Sequence, residues 1–299
     1  MGSSEFAQPD PIEMLTRINI QDMLDNFGLG EIQRGRGAID LTLKWPARLL
    51  ARQVVQFDAR VGAIGLQAAA RELIVTYVKR LSIVGARNVP RTGGALLVSN
   101  HPGMTDTLAC FSAIPRPDLR VVSNDRPFLR ALPHVSQYLL YVSEEPGQRL
   151  GIVRQVARHL QKGGAVMINP AGQIEPDPAV MRGAVESLAT WSDSLALFVR
   201  MAPDAVIVPV IISGVIDAPS LRHPLTRLRR ARKDREKVAA SIQAFLHATG
   251  RARSRMHPRI EFGPPLPAGD LAKQGDAAAI TCAITGAVRE LIIRQPVRR

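Results

Sequence analysis

From Leu81 onward the chain alternates short, mainly apolar runs with segments of helical length, and this alternation limits the fold more than any other feature. The runs are Leu81 to Val84, Ala95 to Ser99, Leu119 to Val122, Leu139 to Val142, Ala165 to Asn169 and Val206 to Ile212, several of them rich in β-branched residues. A strand with one wet face alternates polar and apolar side chains, whereas a strand apolar throughout needs cover on both faces. Helices are expected between the runs at Thr105 to Ile114, Arg149 to Gln161 and Arg182 to Ser192. The expected class is therefore α/β, with a central mostly parallel or mixed sheet flanked by helices. A further short strand fits Arg259 to Phe262, stopped by Gly263-Pro264-Pro265, and a terminal helix fits Asp276 to Ile293.

The first eighty residues have a helical texture instead. One helix fits Pro11 to Phe27, ending near Gly28 and Gly30. A second is expected to begin near Pro46, a residue suited to a first helical turn. Its apolar positions Leu50, Val54, Phe57, Val61, Ile64 and Ala68 alternate spacings of four and three, which is one stripe of an amphipathic helix. Such a stripe packs on its own domain or rests on a membrane, and periodicity does not separate the two. The chain thus divides into an N-terminal helical region over 1–80, an α/β domain over 81–270 and a C-terminal helix over 271–299.

Charge narrows the partners. Lys plus Arg number 39 against 26 Asp plus Glu, a net +13, and Leu221 to Arg259 alone carries +10 of it. The density peaks at Arg227, Arg229, Arg230, Arg232 and Lys233, with a second group at Arg251, Arg253 and Arg255. A cluster of this kind attracts a polyanion such as an anionic lipid surface or the phosphates of a cofactor, or else is a solvated helix face. Nucleic acid is the weakest of these partners: aromatic residues are 4% of the chain, and the cluster holds only Phe245 as a stacking surface. No uncharged apolar run approaches the roughly 18 residues that a membrane span needs. The Ala205 to Ile216 run, bounded by Asp204 and Asp217, reads as a buried strand. The polar, acidic start does not resemble a secretory signal, and Cys110 and Cys282 read as two buried thiols in a reducing compartment. A cytoplasmic, peripheral membrane location is the expectation.

The strand Ala95 to Ser99 runs into Asn100-His101-Pro102-Gly103-Met104-Thr105-Asp106, and a helix follows. A His leaving a strand end and an Asp five residues on can meet across a Pro-Gly turn. The carboxylate would accept one ring N–H and raise the basicity of the other nitrogen, making a general base for a hydroxyl. The same spacing also fits an Asp106 that caps the helix and a His101 bonded only to backbone. No Ser or Cys stands as an obvious nucleophile, and His134, His159, His223, His247 and His257 show no metal-ligand spacing.

Here the chain resembles the glycerolipid acyltransferases, the family typified by lysophosphatidic acid acyltransferase. Their leading motif, Asn-His followed four residues later by Asp, is matched by Asn100, His101 and Asp106. Ala165-Val166-Met167-Ile168-Asn169-Pro170-Ala171-Gly172 is similar to the segment that usually ends Phe-Pro-Glu-Gly-Thr-Arg. Met181-Arg182-Gly183-Ala184, Ile207-Val208-Pro209-Val210-Ile211 and Arg259 to Leu266 resemble later blocks, in order. The resemblance covers roughly Leu81 to Pro267 and makes 81–270 the catalytic domain.

It implies acyl transfer from acyl-CoA or acyl carrier protein to a lipid hydroxyl, with His101 as base, Asp106 orienting it, and no covalent acyl-enzyme. No bound cofactor and no metal are implied; the acyl thioester is a substrate. Asn100, Gly103, Pro170, Gly172 and Gln173 would form the acceptor or oxyanion loop, with Gly172 a candidate N–H donor. Two departures bear on the acceptor. The family's Glu, Thr and Arg fall on Ala171, Gln173 and Ile174, and the second family block has no clean match near Tyr141 to Glu145. Arg149 and Arg182 are the candidate replacements for phosphate contact. Glu175 and Asp177, close behind Ile174, would repel a phosphate dianion, so the expected acceptor lacks a terminal phosphomonoester. The alternative is a catalytically silent homologue that binds acyl chains or membranes.

Overall fold

The computed structural model describes residues 10–142, 149–252 and 256–295, and of Arg149, Leu150 and Lys233 the backbone only. Three helices come first: α1 (Pro11–Phe27), α2 (Arg36–Ile64) and α3 (Leu66–Tyr77). The α/β part then runs β1 (Ser82–Val84), β2 (Ala95–Ser99), α4 (Met104–Ala113), β3 (Arg120–Asn124), α5 (Pro127–Arg130), α6 (Pro133–Ser136), β4 (Leu139–Val142), α7 (Arg149–Gln161) and β5 (Ala165–Ile168). It continues with α8 (Ser194–Met201), β6 (Val206–Ser213), α9 (Ala218–Leu221), α10 (Arg232–Ala248), β7 (Arg259–Phe262), β8 (Leu266–Pro267), α11 (Ala268–Ala272) and α12 (Ala277–Arg294).

Among the described residues the sheet has eight strands in the order β1-β7-β6-β2-β5-β3-β4, with β8 paired to β6. Strands β6, β2, β5, β3 and β4 run parallel, and β7 joins β6 antiparallel, so the sheet is mixed but mostly parallel. Every residue of β2 is buried. Its side chains divide by the strand period: Ala95 and Leu97 enter the core under α3 and α4, while Leu96 and Val98 enter the core under α7, α8 and α12. That two-faced burial is the physical counterpart of the unbroken apolar run. It also leaves β2 as a fixed strand in the middle of the sheet, whose C-terminal end opens into the His101 turn.

Three expectations are corrected. The second helix starts at Arg36 rather than near Pro46, which lies inside it and is buried. A Pro interior to a helix removes one backbone bond and costs about 3 kcal/mol. Here α1 packs across that stretch, where Ile20, Leu24 and Ala47 form a small core and Asn19 donates to the Ala47 carbonyl at 3.2 Å. The apolar stripe is also cut before Ala68, because Gly65 (φ 83°, ψ 162°) separates α2 from α3. Second, Arg182 to Ser192 is a turn followed by a 3-10 helix over Glu186–Thr190. Third, Cys110 is buried but Cys282 is exposed.

The N-terminal helices are tied to the sheet domain by a second His–Asp contact. Asp58 of α2 is buried and accepts from His134 Nδ1 at 2.9 Å and from the Val135 N–H at 2.8 Å. It caps the first turn of α6, so His134 has a structural place.

Candidate active site

Sheet geometry sets where His101 stands. Asn100 is buried, and its amide works as an extra rung of the sheet: Nδ2 donates to the Ile212 carbonyl at 2.9 Å and Oδ1 accepts from the Ile212 N–H at 2.8 Å. Asn169, at the end of β5, donates to the carbonyls of Ser99 (3.1 Å) and Asn100 (3.0 Å). The chain therefore leaves β2 locked to both neighbouring strands, and Asn100 serves as a strut whose amide bridges to Ile212 of β6.

Next come the turn and the first turn of α4. Asp106 is 1% exposed and accepts from His101 Nδ1 at 2.8 Å, from the Gly103 N–H at 3.2 Å and from Thr107 Oγ1 at 3.0 Å, with the Thr107 N–H also donating to it. The capping and orienting roles that spacing left open are thus both filled by one carboxylate. With Asp106 accepting at Nδ1, the neutral ring carries its proton there and its lone pair on Nε2. Nε2 has no protein partner among the described residues, and the His101 side chain is 30% exposed.

Burial pushes the His101 pKa down. The charge and hydrogen bond of Asp106, with the charge of Glu175 behind them, outweigh that, while Arg126 opposes; the net shift is upward. The result is an oriented base, open on one nitrogen.

The loop after β5 closes the other side. Glu175 is buried, and its N–H donates to the His101 carbonyl at 2.8 Å while its Oε2 accepts from the His101 N–H at 3.1 Å. Trp191 Nε1 lies 2.9 Å and Ser187 Oγ 3.0 Å from Oε1. Asp177, fully buried, accepts from the N–H groups of Gly214 (2.8 Å), Val215 (2.8 Å), Ile216 (3.2 Å) and Ala179 (2.9 Å). It thereby pins the loop after β6 beside Gly103. Burial raises the pKa of both carboxyls, against the hydrogen bonds each accepts.

Both carboxylates are buried and bonded to N–H and hydroxyl groups of the protein itself, where the sequence suggested two charges facing an acceptor. The sequence marked both residues for their charge, not for these bonds. The available signal was their setting, Glu175-Pro176-Asp177-Pro178, two acids spaced by prolines directly after a buried strand.

Other site expectations are redistributed. Gly172 is exposed, and its N–H is committed to the Asn169 carbonyl at 3.0 Å, as the Gly103 N–H is to Asp106. Neither is an open oxyanion donor, and the φ of +60° at Gly172 serves a tight turn. Pro170 is buried under this turn, and Gln173 and Ile174 line an open cleft with Glu175, Pro176, Ser187, Thr190, Arg232 and Glu236.

Arg182 is exposed, and its carbonyl accepts from Arg232, whose Nε pairs with Glu236 at 2.9 Å. The basic cluster is accordingly split. Arg232 stands over the Gln173–Glu175 loop and Arg229 pairs with Asp234 at 2.7 Å, while Arg227 and Arg230 remain exposed. The side chains of Arg149 and Lys233 lie outside the described residues, as do Arg253 and Arg255.

Comparison with known proteins finds a family match over the segment that holds this turn. Residues 80–213 match the Acyltransferase family model. That span holds β1 through β6, the His101–Asp106 pair and the Glu175 loop. No curated protein matches the chain. Among solved structures it is similar to the 1-acyl-sn-glycerophosphate (LPA) acyltransferase PlsC from Thermotoga maritima, at 14% identity over 96% of this chain and 95% of that one, with a TM-score of 0.45. Residues 80–213 are an acyltransferase-type domain, and it is this segment of the chain that carries the His101–Asp106 turn.

Proposed function

We propose that the protein is an O-acyltransferase that moves an acyl chain from the thioester of acyl-CoA or acyl carrier protein to a lipid hydroxyl. The observation that carries this reading is the 2.8 Å contact between His101 Nδ1 and the buried Asp106 carboxylate, inside the segment that matches the family. His101 Nε2 takes the proton of the acceptor hydroxyl as its oxygen attacks the thioester carbonyl. Collapse of the tetrahedral intermediate forms the ester and breaks the C–S bond, and the imidazolium returns the proton to the departing thiolate. Asp106 holds the tautomer and stabilises the imidazolium meanwhile. Direct transfer is favoured because Ser99 is buried with its hydroxyl on the Asn100 carbonyl, and because burial raises the Cys110 pKa well above its ordinary value.

Peripheral membrane attachment completes the reading. No helix among the described residues is long and apolar enough to cross a membrane. The exposed Arg227 and Arg230 alternate with the exposed Leu225 and Leu228. On α2, Trp45 and Leu41 are 54% and 75% exposed, and the Arg251 guanidinium lies 5.6 Å from the Trp45 ring centroid. Apolar groups interleaved with unpaired cations suit an anionic lipid surface.

The decisive test is incubation of the pure protein with acyl-CoA or acyl carrier protein and a panel of lysolipids and lipid alcohols, with products read by mass spectrometry. An esterified lipid formed by the wild type and not by His101→Ala is expected. Thioester hydrolysis alone, or turnover independent of His101, would refute the assignment. Competition between lysophosphatidic acid and monoacylglycerol, repeated with Arg182→Ala, decides the acceptor. With Glu175 and Asp177 turned inward, only Ile174 still argues for an acceptor without a phosphomonoester.

A further inference from the structure

We infer that Glu175 is the positioning residue that holds the backbone of the base, so that the reacting ring is fixed from its main chain by Glu175 and from its Nδ1 by Asp106. The inference rests on the proposed role of His101 and names a residue that the family motif does not supply, since Glu175 lies beyond the Pro170 to Ile174 segment. Glu175 clamps one residue at two points: its own N–H meets the His101 carbonyl at 2.8 Å and its Oε2 meets the His101 N–H at 3.1 Å. This is the bonding of a short strand pair, completed by a side chain. Its other oxygen is anchored by Trp191 Nε1 at 2.9 Å, and Trp191 is itself buried. The clamp thus runs from the buried Trp191, in the core under α7, α8 and α12, through Glu175 to the backbone of the base.

The chemistry at this position requires two acceptors. Oε1 faces the Trp191 N–H and Oε2 the His101 N–H, and both are fixed donors with no acceptor capacity. A carboxylate satisfies both. A glutamine satisfies one and sets N–H against N–H at the other, so either the anchor or the clamp is lost. The carboxylate also adds negative charge beside the imidazole. The charged groups that face the ring are Asp106 from α4, Glu175 from this loop and Arg126 from the turn before α5; Arg232 and Glu236 of α10 line the cleft on the outer side of the loop. Removing one negative charge from this set leaves Arg126 less opposed, which makes the ring a weaker base.

Glu175→Gln tests this in the full chain, with steady-state kinetics over pH and an NMR titration of the His101 ring proton. The expected kcat falls about 10- to 100-fold, the range for a misplaced catalytic group, with KM for both substrates unchanged. The acid limb of the rate profile and the His101 titration both move to lower pH. A merely structural Glu175 would lower the thermal midpoint and the active fraction together and leave the limb and the ring titration where they were; that result overturns the inference.

Should Glu175→Gln not fold, Glu175→Asp takes its place. It keeps the charge and loses the reach, so kcat falls while the limb stays near its wild-type position; unchanged kcat overturns the inference. The NMR titration needs no substrate. A wild-type protein that acylates nothing would refute the proposed reaction, while the titration would still report the Glu175–His101 link.

Discussion

Replacing Asp106 by Asn changes one atom, and the structure says which properties of the site follow that atom. One carboxylate oxygen accepts from the Thr107 hydroxyl and N–H, and an amide oxygen keeps those bonds. The other accepts from His101 Nδ1 at 2.8 Å and Gly103 N–H at 3.2 Å, and an amide nitrogen there reverses the first bond and opposes the second. With Nδ1 now accepting, the ring proton moves to Nε2 and the lone pair needed by the hydroxyl is gone. The same exchange in a Ser-His-Asp triad costs about 10⁴ in kcat, and a general base alone contributes about 10² to 10⁴, so a loss of at least about 100-fold is expected. The unsatisfied Gly103 N–H costs about 1–3 kcal/mol of stability.

His101→Ala is expected to lose activity over the same range but at most about 1 kcal/mol of stability, because a 30% exposed ring with one side-chain bond is removed. The double variant should be no slower than His101→Ala, since the two residues act as one unit. Thiol release from acyl-CoA measures kcat/KM, and urea unfolding measures stability. An Asp106→Asn enzyme above about a tenth of the wild-type rate, or losses that multiply in the double variant, would refute the orienting role.

The pH dependence has a definite sign. Burial lowers the His101 pKa but Asp106 and Glu175 raise it further, so kcat/KM should fall on acidification with an acid limb above the ordinary histidine value. Linkage adds that the stability from this pair is full below the unfolded-state pKa and is lost as pH rises through the folded one, visible as a thermal-midpoint difference between wild type and His101→Ala. Far from the site, Arg116 is 1% exposed and donates to the carbonyls of Pro90 (2.8 Å), Gly93 (3.0 Å) and Gly163 (2.7 Å) and to Asp118. Arg116→Leu leaves these carbonyls without their donor and should therefore cost at least about 1–3 kcal/mol in urea unfolding, while the folded fraction keeps its kcat. At the surface, Arg227→Gln and Arg230→Gln should each weaken binding to anionic vesicles by up to about 1 kcal/mol in sedimentation assays, with the difference gone at high salt. Binding that is equal on neutral vesicles would exclude an electrostatic surface.

Much of this fold was legible because burial on both faces leaves a direct mark on sequence. Strands β2 and β7 and helix α1 begin and end where their patterns do: Gly94 precedes β2, Pro258 and Gly263 flank β7, and Asp10 and Gly28 flank α1. The start of α2 was not legible, because Pro46 is a good signal for a first turn and only tertiary packing by α1 keeps it inside a helix. The 3-10 segment after Arg182 failed for a related reason. Its Val185, Leu188 and Trp191 recur every three residues, a spacing that suits an α-helix face and a 3-10 helix alike, and Ser187 and Trp191 both bond to Glu175 from this segment.

At the site, the legible part was the part that is local in sequence. His101 and Asp106 are five residues apart, so a strand end, a Pro-Gly turn and a helix start suffice to bring them together. Glu175 meets His101 from 74 residues away, Asp177 meets Gly214 from 37 and Asn100 meets Ile212 from 112. None of these contacts has a spacing signature, because each depends on which strands are neighbours in the sheet. A buried carboxylate and an exposed one are also identical as letters. The repulsive pair expected behind Ile174 becomes a clamp and a loop anchor only because four backbone N–H groups surround Asp177, and two fixed N–H groups with a hydroxyl surround Glu175. The basic cluster shows the converse: as a run of letters it is one patch, but folding pairs Arg229 and Arg232 with Asp234 and Glu236 and leaves Arg227 and Arg230 exposed. The net +10 of this stretch already subtracts Asp234 and Glu236, so pairing decides which cations stay exposed to a partner and not how much net charge the stretch carries.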